Sequence, residues 1–272
     1  MVQSIRLIKY QALGNDYLFL DASEFPMPDS DQIRKICHRN FGIGSDGVLY
    51  GGVSDGCDFF VQIINPDGSI AEISGNGVRI FSRAMFDLGL VAAGEKFFVK
   101  TAKKNVECAV FCANRVAVDM GHPTFNDKNI PHFPGNSSVL TAGRKEYECF
   151  PVSIGNPHCV IFVDELSLDE VEISGKILEH NEMFHENTNV EFAKIMDREN
   201  IAIEIWERGV GRTLACGSGA CAAFAVSRRL GLCSDEIKAH MAGGTLDLAF
   251  SDSGTIIQNG PVEKIASCVV DL

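Results

Sequence analysis

Two short stretches of this chain, 142 residues apart, repeat one pattern, and nothing else in the sequence constrains the fold as much. Ser74-Gly75-Asn76-Gly77 and Cys216-Gly217-Ser218-Gly219 each open a run with helical spacing, and the runs close at Gly89-Leu90 and Gly231-Leu232. Nine residues before each motif a polar side chain ends an apolar, β-rich run: Asn65 after Phe59 to Ile64, and Glu207 after Ile201 to Trp206. Further upstream Gly14-Asn15-Asp16 is echoed by Gly155-Asn156-Pro157, and Gly47-Val48 by Asn189-Val190. Solenoid units repeat every ~20–50 residues, so so long a period means a duplicated domain. At 272 residues with 46% hydrophobic content the chain can fill two modest cores.

The expected class is mixed α/β (α+β), with two pseudo-symmetric domains, 1–145 carrying Ser74 and 146–272 carrying Cys216. The boundary is approximate, because the C-terminal strands can return to the first domain. Val78, Phe81, Met85 and Leu88 follow helical spacing after the first motif, and Ala220, Ala223, Phe224 and Leu230 roughly do so after the second. The second helix is apolar almost all round from Ala220 to Val226, which predicts burial at the centre of its domain. Strands are expected at 115–119, 244–250 and 255–258, between Gly, Asn and Asp turns. Residues 124–145, rich in Pro, Asn, Gly and Ser, read as a linker.

A net charge of −12 argues against nucleic acid or an anionic membrane as partner. The sequence has no 18-residue apolar run, and its first residues do not form a charged-then-apolar leader, so a soluble cytoplasmic protein is expected. The ten cysteines are scattered through apolar runs and read mostly as reduced core residues. Cys108 with Cys112, and Cys216 with Cys221, lack a second Cys/His cluster at ligand spacing, so no metal site is expected. No complete phosphate-binding loop or dinucleotide fingerprint occurs, and Gly42-Ile43-Gly44 lacks a third glycine at the proper spacing. Among the histidines only His158 lies in a repeated motif. It reads equally as a hydrogen-bonded turn residue and as a supporting catalytic one.

A glycine-rich helix start presents N–H groups without internal partners and about half a positive charge, which suits an anion. If the two halves face each other across a cleft, both helix starts hold one carboxylate, with Ser74 and Cys216 on opposite sides of the neighbouring carbon. That arrangement inverts an α-carbon without a cofactor: one side removes the α-hydrogen and the other returns a proton. A thiol at a helix N-terminus is expected to have its pKa lowered toward neutrality. The paired N–H groups would also stabilise the enolate-like charge of the intermediate.

Eight segments, in order along nearly the whole chain, closely resemble the diaminopimelate epimerase family: Ala12 to Asp16, Gly42 to Gly47, Asn65 to Ser69, Gly75 to Arg79, Gly155 to His158, Asn189 to Phe192, Glu207 to Gly209 and Ala215 to Ala220. The resemblance implies two α/β domains, each a β-barrel-like sheet around a central helix, with the active site in the cleft between them. It implies a cofactor-independent two-base epimerase of lysine and cell-wall biosynthesis, acting as a homodimer. Carried over by position, Cys216 is one of the family's two catalytic cysteines, and Asn15, Asn65, Asn156, Asn189, Glu207 and Arg208 hold the substrate. Gly75, Asn76, Gly217 and Ser218 hold its reacting carboxylate. Diaminopimelate carries an amino acid group at each end, so one end must be bound while the other is inverted. The planar guanidinium of Arg208 suits the distant carboxylate, and Glu207 with asparagine carbonyls suits the distant ammonium. Alone, Glu207-Arg208 would read as a surface ion pair; its place nine residues before Cys216 argues otherwise.

The chain departs from the family at two positions. Serine stands at 74 where the family has cysteine, and Arg212 stands where it usually has glutamate. An alkoxide is far harder to make than a thiolate. Ser74 is therefore either an engineered substitution that disables one face or the natural residue of a divergent member, since the wider superfamily includes serine/cysteine pairs. Arg212 reads either as a solvent-facing loop residue or as a charge that alters substrate preference. Two alternatives accompany the epimerase reading: a racemase or dehydratase of the same superfamily with another substrate, and a non-catalytic amino acid binding protein.

Overall fold

The structure, a computed structural model of the chain, describes residues 4–133 and 135–271. It forms two compact units: the first runs to Asp119 and resumes at Asn259, and the second is Met120–Gln258. The boundary thus falls earlier than the sequence suggested. Residues 124–145 belong to the second unit and are no linker: Ser138–Ala142 forms a hairpin with the strand that starts at Lys145, and Thr124 bridges to Ser153. Turn-forming composition marked tight turns there, not a joint between domains.

In the first unit the strands are β1 (Ser4–Ala12), β2 (Asn15–Asp21), β3 (Val48–Ser54), β4 (Cys57–Ile64), β5 (Ile70–Ala71), β6 (Lys96–Lys100), β7 (Asn105–Cys112) and β8 (Arg115–Asp119). The second contains β9 (Ser138–Ala142), β10 (Lys145–Ser153), β11 (Pro157–Phe162), β12 (Asn189–Ile195), β13 (Asn200–Glu207), β14 (Gly211–Thr213), β15 (Glu236–Met241) and β16 (Gly244–Phe250), and β17 (Ile256–Gly260) begins in it and ends past its last residue, Gln258. The last strand, β18 (Glu263–Asp271), returns to the first unit and pairs antiparallel with β1, from Ser4 opposite Asp271 to Gln11 opposite Glu263.

The duplication is visible strand by strand. Parallel β2 and β3 pair Leu18 with Val48, and parallel β11 and β12 pair Cys159 with Val190. Antiparallel β3 and β4 pair Val48 with Ile64, where β12 and β13 pair Val190 with Trp206. The short strand before each motif keeps the register too: Ile63 faces Ala71, and Ile205 faces Thr213. Parallel β4 and β6 have their counterpart in β13 and β15. A one-residue slip would turn each strand's buried face outward, so register is what duplication must preserve.

Each unit wraps its strands around one helix. α1 (Ser30–Cys37) is a short surface helix with a capping box between Asp29 and Gln32. α2 (Gly75–Asp87) packs against β1, β2, β3, β4, β7 and β8, and it is buried from Gly75 to Ser82. α3 (Leu168–Glu179) lies against β9, β12, β13 and β14. α4 (Gly217–Arg229) packs against β10 to β13, β15 and β16 and is buried from Gly217 to Ser227, as its all-round apolar sequence predicts. Phe81 of α2 meets Phe19 and Phe59 edge to face, at centroid distances of 5.9 and 6.4 Å. Gly51 permits this approach: a Cβ there would lie 2.8 Å from the Phe81 ring and 2.2 Å from the Phe60 carbonyl oxygen.

α2 and α4 end identically. Gly89 and Gly231 take φ of 72° and 73°, and each helix closes with the bond pair of a Schellman motif, Leu90 N–H to Met85 O and Leu232 N–H to Ser227 O among them. Seven of the ten cysteines are buried and none is in a disulfide. Among the described residues, no helix is long and apolar enough to cross a membrane.

Candidate active site

Ser74 and Cys216 are the N-cap residues of α2 and α4, with φ, ψ of −138°, 116° and −129°, 118°. Both lead into a first helical turn whose N–H groups have no partner within the helix. On equivalent backbones, the two side chains do different things.

In the first unit the Ser74 hydroxyl oxygen accepts the N–H of Gly77 at 3.0 Å, the usual work of a capping serine. Asn76 donates through Nδ2 to Asn15 Oδ1 at 3.3 Å and accepts from the fully buried Arg79 at 2.7 Å. Asn15 Nδ2 donates to Asp46 Oδ2 at 2.9 Å. Asp46 and Asp16 share Arg39, and Asp16 also pairs with Lys9 at 2.7 Å. Burial opposes ionisation of Asp16, but hydrogen bonds from Arg39 and Lys9 hold its carboxyl below the usual range. Asn65 sits in a tight turn after β4, its Nδ2 donating to Ser69 Oγ at 3.0 Å. Gly68, at φ 90°, accommodates that turn: a Cβ there would meet Ser30 at 2.7 Å.

In the second unit Cys216 is 7% exposed, with its Sγ 3.4 Å from Ser218 Oγ. Burial, then the Glu207 carboxylate, pushes the thiol well above its ordinary range; the Ser218 hydroxyl and Gly219 N–H pull against them, and Glu191 adds to the rise. This corrects the expectation of a lowered pKa. A helix start favours the thiolate, but this one is dry and faces two carboxyl groups.

Glu191 lies directly behind the thiol's helix turn. Its Oε1 is 2.7 Å from His158 Nδ1, and His158 Nε2 is 2.9 Å from Asn156 Oδ1. Both side chains are fully buried, and burial raises the Glu191 carboxyl while His158 works against the rise. A Cβ at Gly219 would lie 2.8 Å from Glu191 Oε1, so glycine is what admits the carboxyl group to the helix start. The first unit has no such pair: Leu49 and Tyr17 occupy the positions of Glu191 and His158, and the Cβ of Gly77 would meet Leu49 Cδ2 at 3.3 Å.

The remaining predicted residues gather around the turn after β13. Glu207 accepts from Thr213 Oγ1 at 2.6 Å. Asn189, buried, accepts the Arg208 N–H at 3.0 Å and donates to the Pro157 carbonyl at 2.8 Å, so its amide positions the protein's own chain. The Arg208 guanidinium donates to the Glu186 carbonyl at 3.1 Å. Arg212 is neither a free loop residue nor bound beside the thiol: it lies in β14 and pairs with Glu204 of β13 at 3.0 Å. Sequence reading passed over Glu191 and Glu179. Both are carboxyl groups in strand or helix patterns, and their burial depends on partners ~30 residues away in sequence, so only the Asn189 to Phe192 segment hinted at the first.

The sequence model of the family described as diaminopimelate epimerase matches residues 7–126 and 150–265. A protein named diaminopimelate epimerase 2 from Nostoc sp. is 42% identical over 269 residues, covering 96% of this chain and 94% of that protein. Diaminopimelate epimerase from Leptospira biflexa is 34% identical, covering 98% and 99%. Among solved structures, a predicted epimerase from Pseudomonas aeruginosa superimposes with a TM-score of 0.73 at 16% identity, over 98% of this chain and 99% of that one. A probable proline racemase from Agrobacterium radiobacter gives 0.74 at 15% identity, over 98% and 93%. These two likenesses speak for the fold alone.

Proposed function

This chain belongs to the diaminopimelate epimerase family, and from that premise we propose that it inverts an α-carbon of diaminopimelate without a cofactor, L,L to meso, by two-base proton transfer. The observation that carries the reading is the pair of equivalent helix starts with a hydroxyl on one N-cap and a thiol on the other.

In this reading Gly75, Asn76, Gly217 and Ser218 supply N–H groups to the reacting carboxylate, where charge grows as the α-hydrogen leaves. Cys216 serves one face of the α-carbon. Its thiol is the resting form, and bringing an ammonium group against Glu207 removes one cause of its raised pKa. Arg208 takes the far carboxylate, Glu207 the far ammonium, and Asn15, Asn65 and Asn156 complete the cradle. His158 supports Asn156 from behind. Ser74 is assigned the other proton transfer, and its hydroxyl can still donate while its oxygen caps α2. The cytoplasm as location and a homodimer as assembly belong to the same reading.

Ser74 is the weak half, because no neighbour equivalent to Glu191 or His158 stands beside it. We therefore expect slow inversion, with α-hydrogen exchange faster for the isomer that presents its hydrogen to Cys216. Proton NMR of L,L- and meso-diaminopimelate in heavy water tests this, with the Ser74→Cys variant alongside. The variant should invert ~10²–10⁴-fold faster. Equal exchange from both isomers by the parent chain would show Ser74 to be a competent acid and base. No reaction by either protein would turn attention to another substrate.

A further inference from the structure

We infer that Glu179 is a positioning residue for Arg208 and so sets how tightly the far carboxylate of the substrate is held; the inference rests on the reading of Arg208 given above. Glu179 is the last residue of α3 and only 4% exposed. A carboxyl group so buried is costly unless donors match its oxygens. Here one oxygen accepts the Gly209 N–H at 2.7 Å and the other accepts the Trp206 indole N–H at 2.7 Å. Those two donors immediately flank Glu207 and Arg208, so one side chain clips the chain on both sides of the pair.

The surrounding frame is continuous. The Glu179 carbonyl receives the Thr188 N–H at 3.1 Å, and the next residue, Asn189, receives the Arg208 N–H. Trp206 packs directly over Gly175 of α3: a Cβ there would lie 2.7 Å from Trp206 Cβ and 2.9 Å from its Cγ, so glycine admits the indole to this face of the helix. Gly209 takes φ 74°, the left-handed conformation that lets its N–H turn back toward α3. A guanidinium grips a carboxylate with two parallel bonds only if its plane is held to within roughly 10–20°. Among the described residues, the Arg208 guanidinium has one bond, to the Glu186 carbonyl, to hold that plane. The backbone on which it stands is fixed by Glu179 and Asn189.

Glu179→Gln keeps the shape but turns one acceptor into an NH2 that faces an N–H donor, so one of the two bonds must be lost. Titration calorimetry with L,L-diaminopimelate should then show binding weaker by roughly 10- to 100-fold. Emission from Trp206, the chain's single tryptophan, should shift with it. On an Arg208→Gln background the same change should cost no more than about twofold, because the group that Glu179 positions is gone. An equal loss in both backgrounds would mean general loosening of the unit and would overturn the inference. Weakening by Arg208→Gln but none by Glu179→Gln would overturn it while leaving the reading of Arg208 intact. If Arg208→Gln leaves the affinity unchanged, the far-end reading fails and the inference falls with it. Should Glu179→Gln not fold, Trp206→Phe removes the indole donor, together with part of the ring, and keeps the Gly209 bond. It is expected to weaken binding several-fold, and unchanged affinity would sink the proposal.

Discussion

Gly77→Ala and Gly219→Ala make one covalent change at equivalent places, the third residue of α2 and of α4, and they should have unequal consequences. At 77 the new methyl would meet Leu49 Cδ2, Ser74 Cβ and Ser74 Oγ at 3.3 Å, a tight contact that a shift of a few tenths of an ångström in the leucine end and the serine relieves. Alanine gains up to ~1 kcal/mol of helix propensity over glycine, so the net change should lie within about 1 kcal/mol of zero. At 219 the methyl would lie 2.8 Å from Glu191 Oε1, the oxygen bonded to His158. Overpacking costs ~1–3 kcal/mol, and a disturbed buried polar bond costs a similar amount. After the propensity gain, the variant should be destabilised by roughly 1–5 kcal/mol, and a melting temperature lower by several degrees follows. Differential scanning calorimetry measures the difference, and Trp206 emission assigns the transition to the second unit. A Gly219→Ala protein that melts as high as Gly77→Ala would refute the claim that the Glu191 carboxyl group is locked against the helix start.

Two further perturbations bear on the charges of the second unit. Glu207→Gln removes an anion that raises the Cys216 pKa, so the pH profile of Cys216 alkylation, followed by peptide mass spectrometry, should move to lower pH; an unmoved profile would assign the rise to burial and Glu191. Arg212→Glu sets a carboxylate against Glu204, and it should cost about 1–2 kcal/mol in urea unfolding with the substrate profile unchanged. A changed profile would show instead that Arg212 reaches the substrate.

The duplication was legible because it is written twice, and each copy vouches for the other. Offsets read from motifs reappear as strand register: Leu18 opposite Val48 and Cys159 opposite Val190 could be aligned before either pairing was seen. The helix starts and their glycine stops were equally plain, since capping chemistry is local. What escaped the sequence was set by distance along the chain. Nothing near Glu191 announces His158, and nothing near Glu179 announces Trp206 and Gly209. The direction of the Cys216 pKa was missed for the same reason: the helix start is local information, whereas the dryness and the two carboxyl groups come from other strands. The unit boundary failed differently, because the turn-rich stretch at 124–145 folds back as a hairpin.

The pairing of β1 with β18 gives synthesis an order. The second unit is one continuous segment, Met120–Gln258, and can close as soon as it has emerged from the ribosome. The first unit is begun earlier and finished later: β1 keeps an unpaired edge until residues 263–271 arrive, and an open edge is an invitation to wrong partners. The half that carries Ser74 therefore waits for residues 263–271, while the half that carries Cys216 does not.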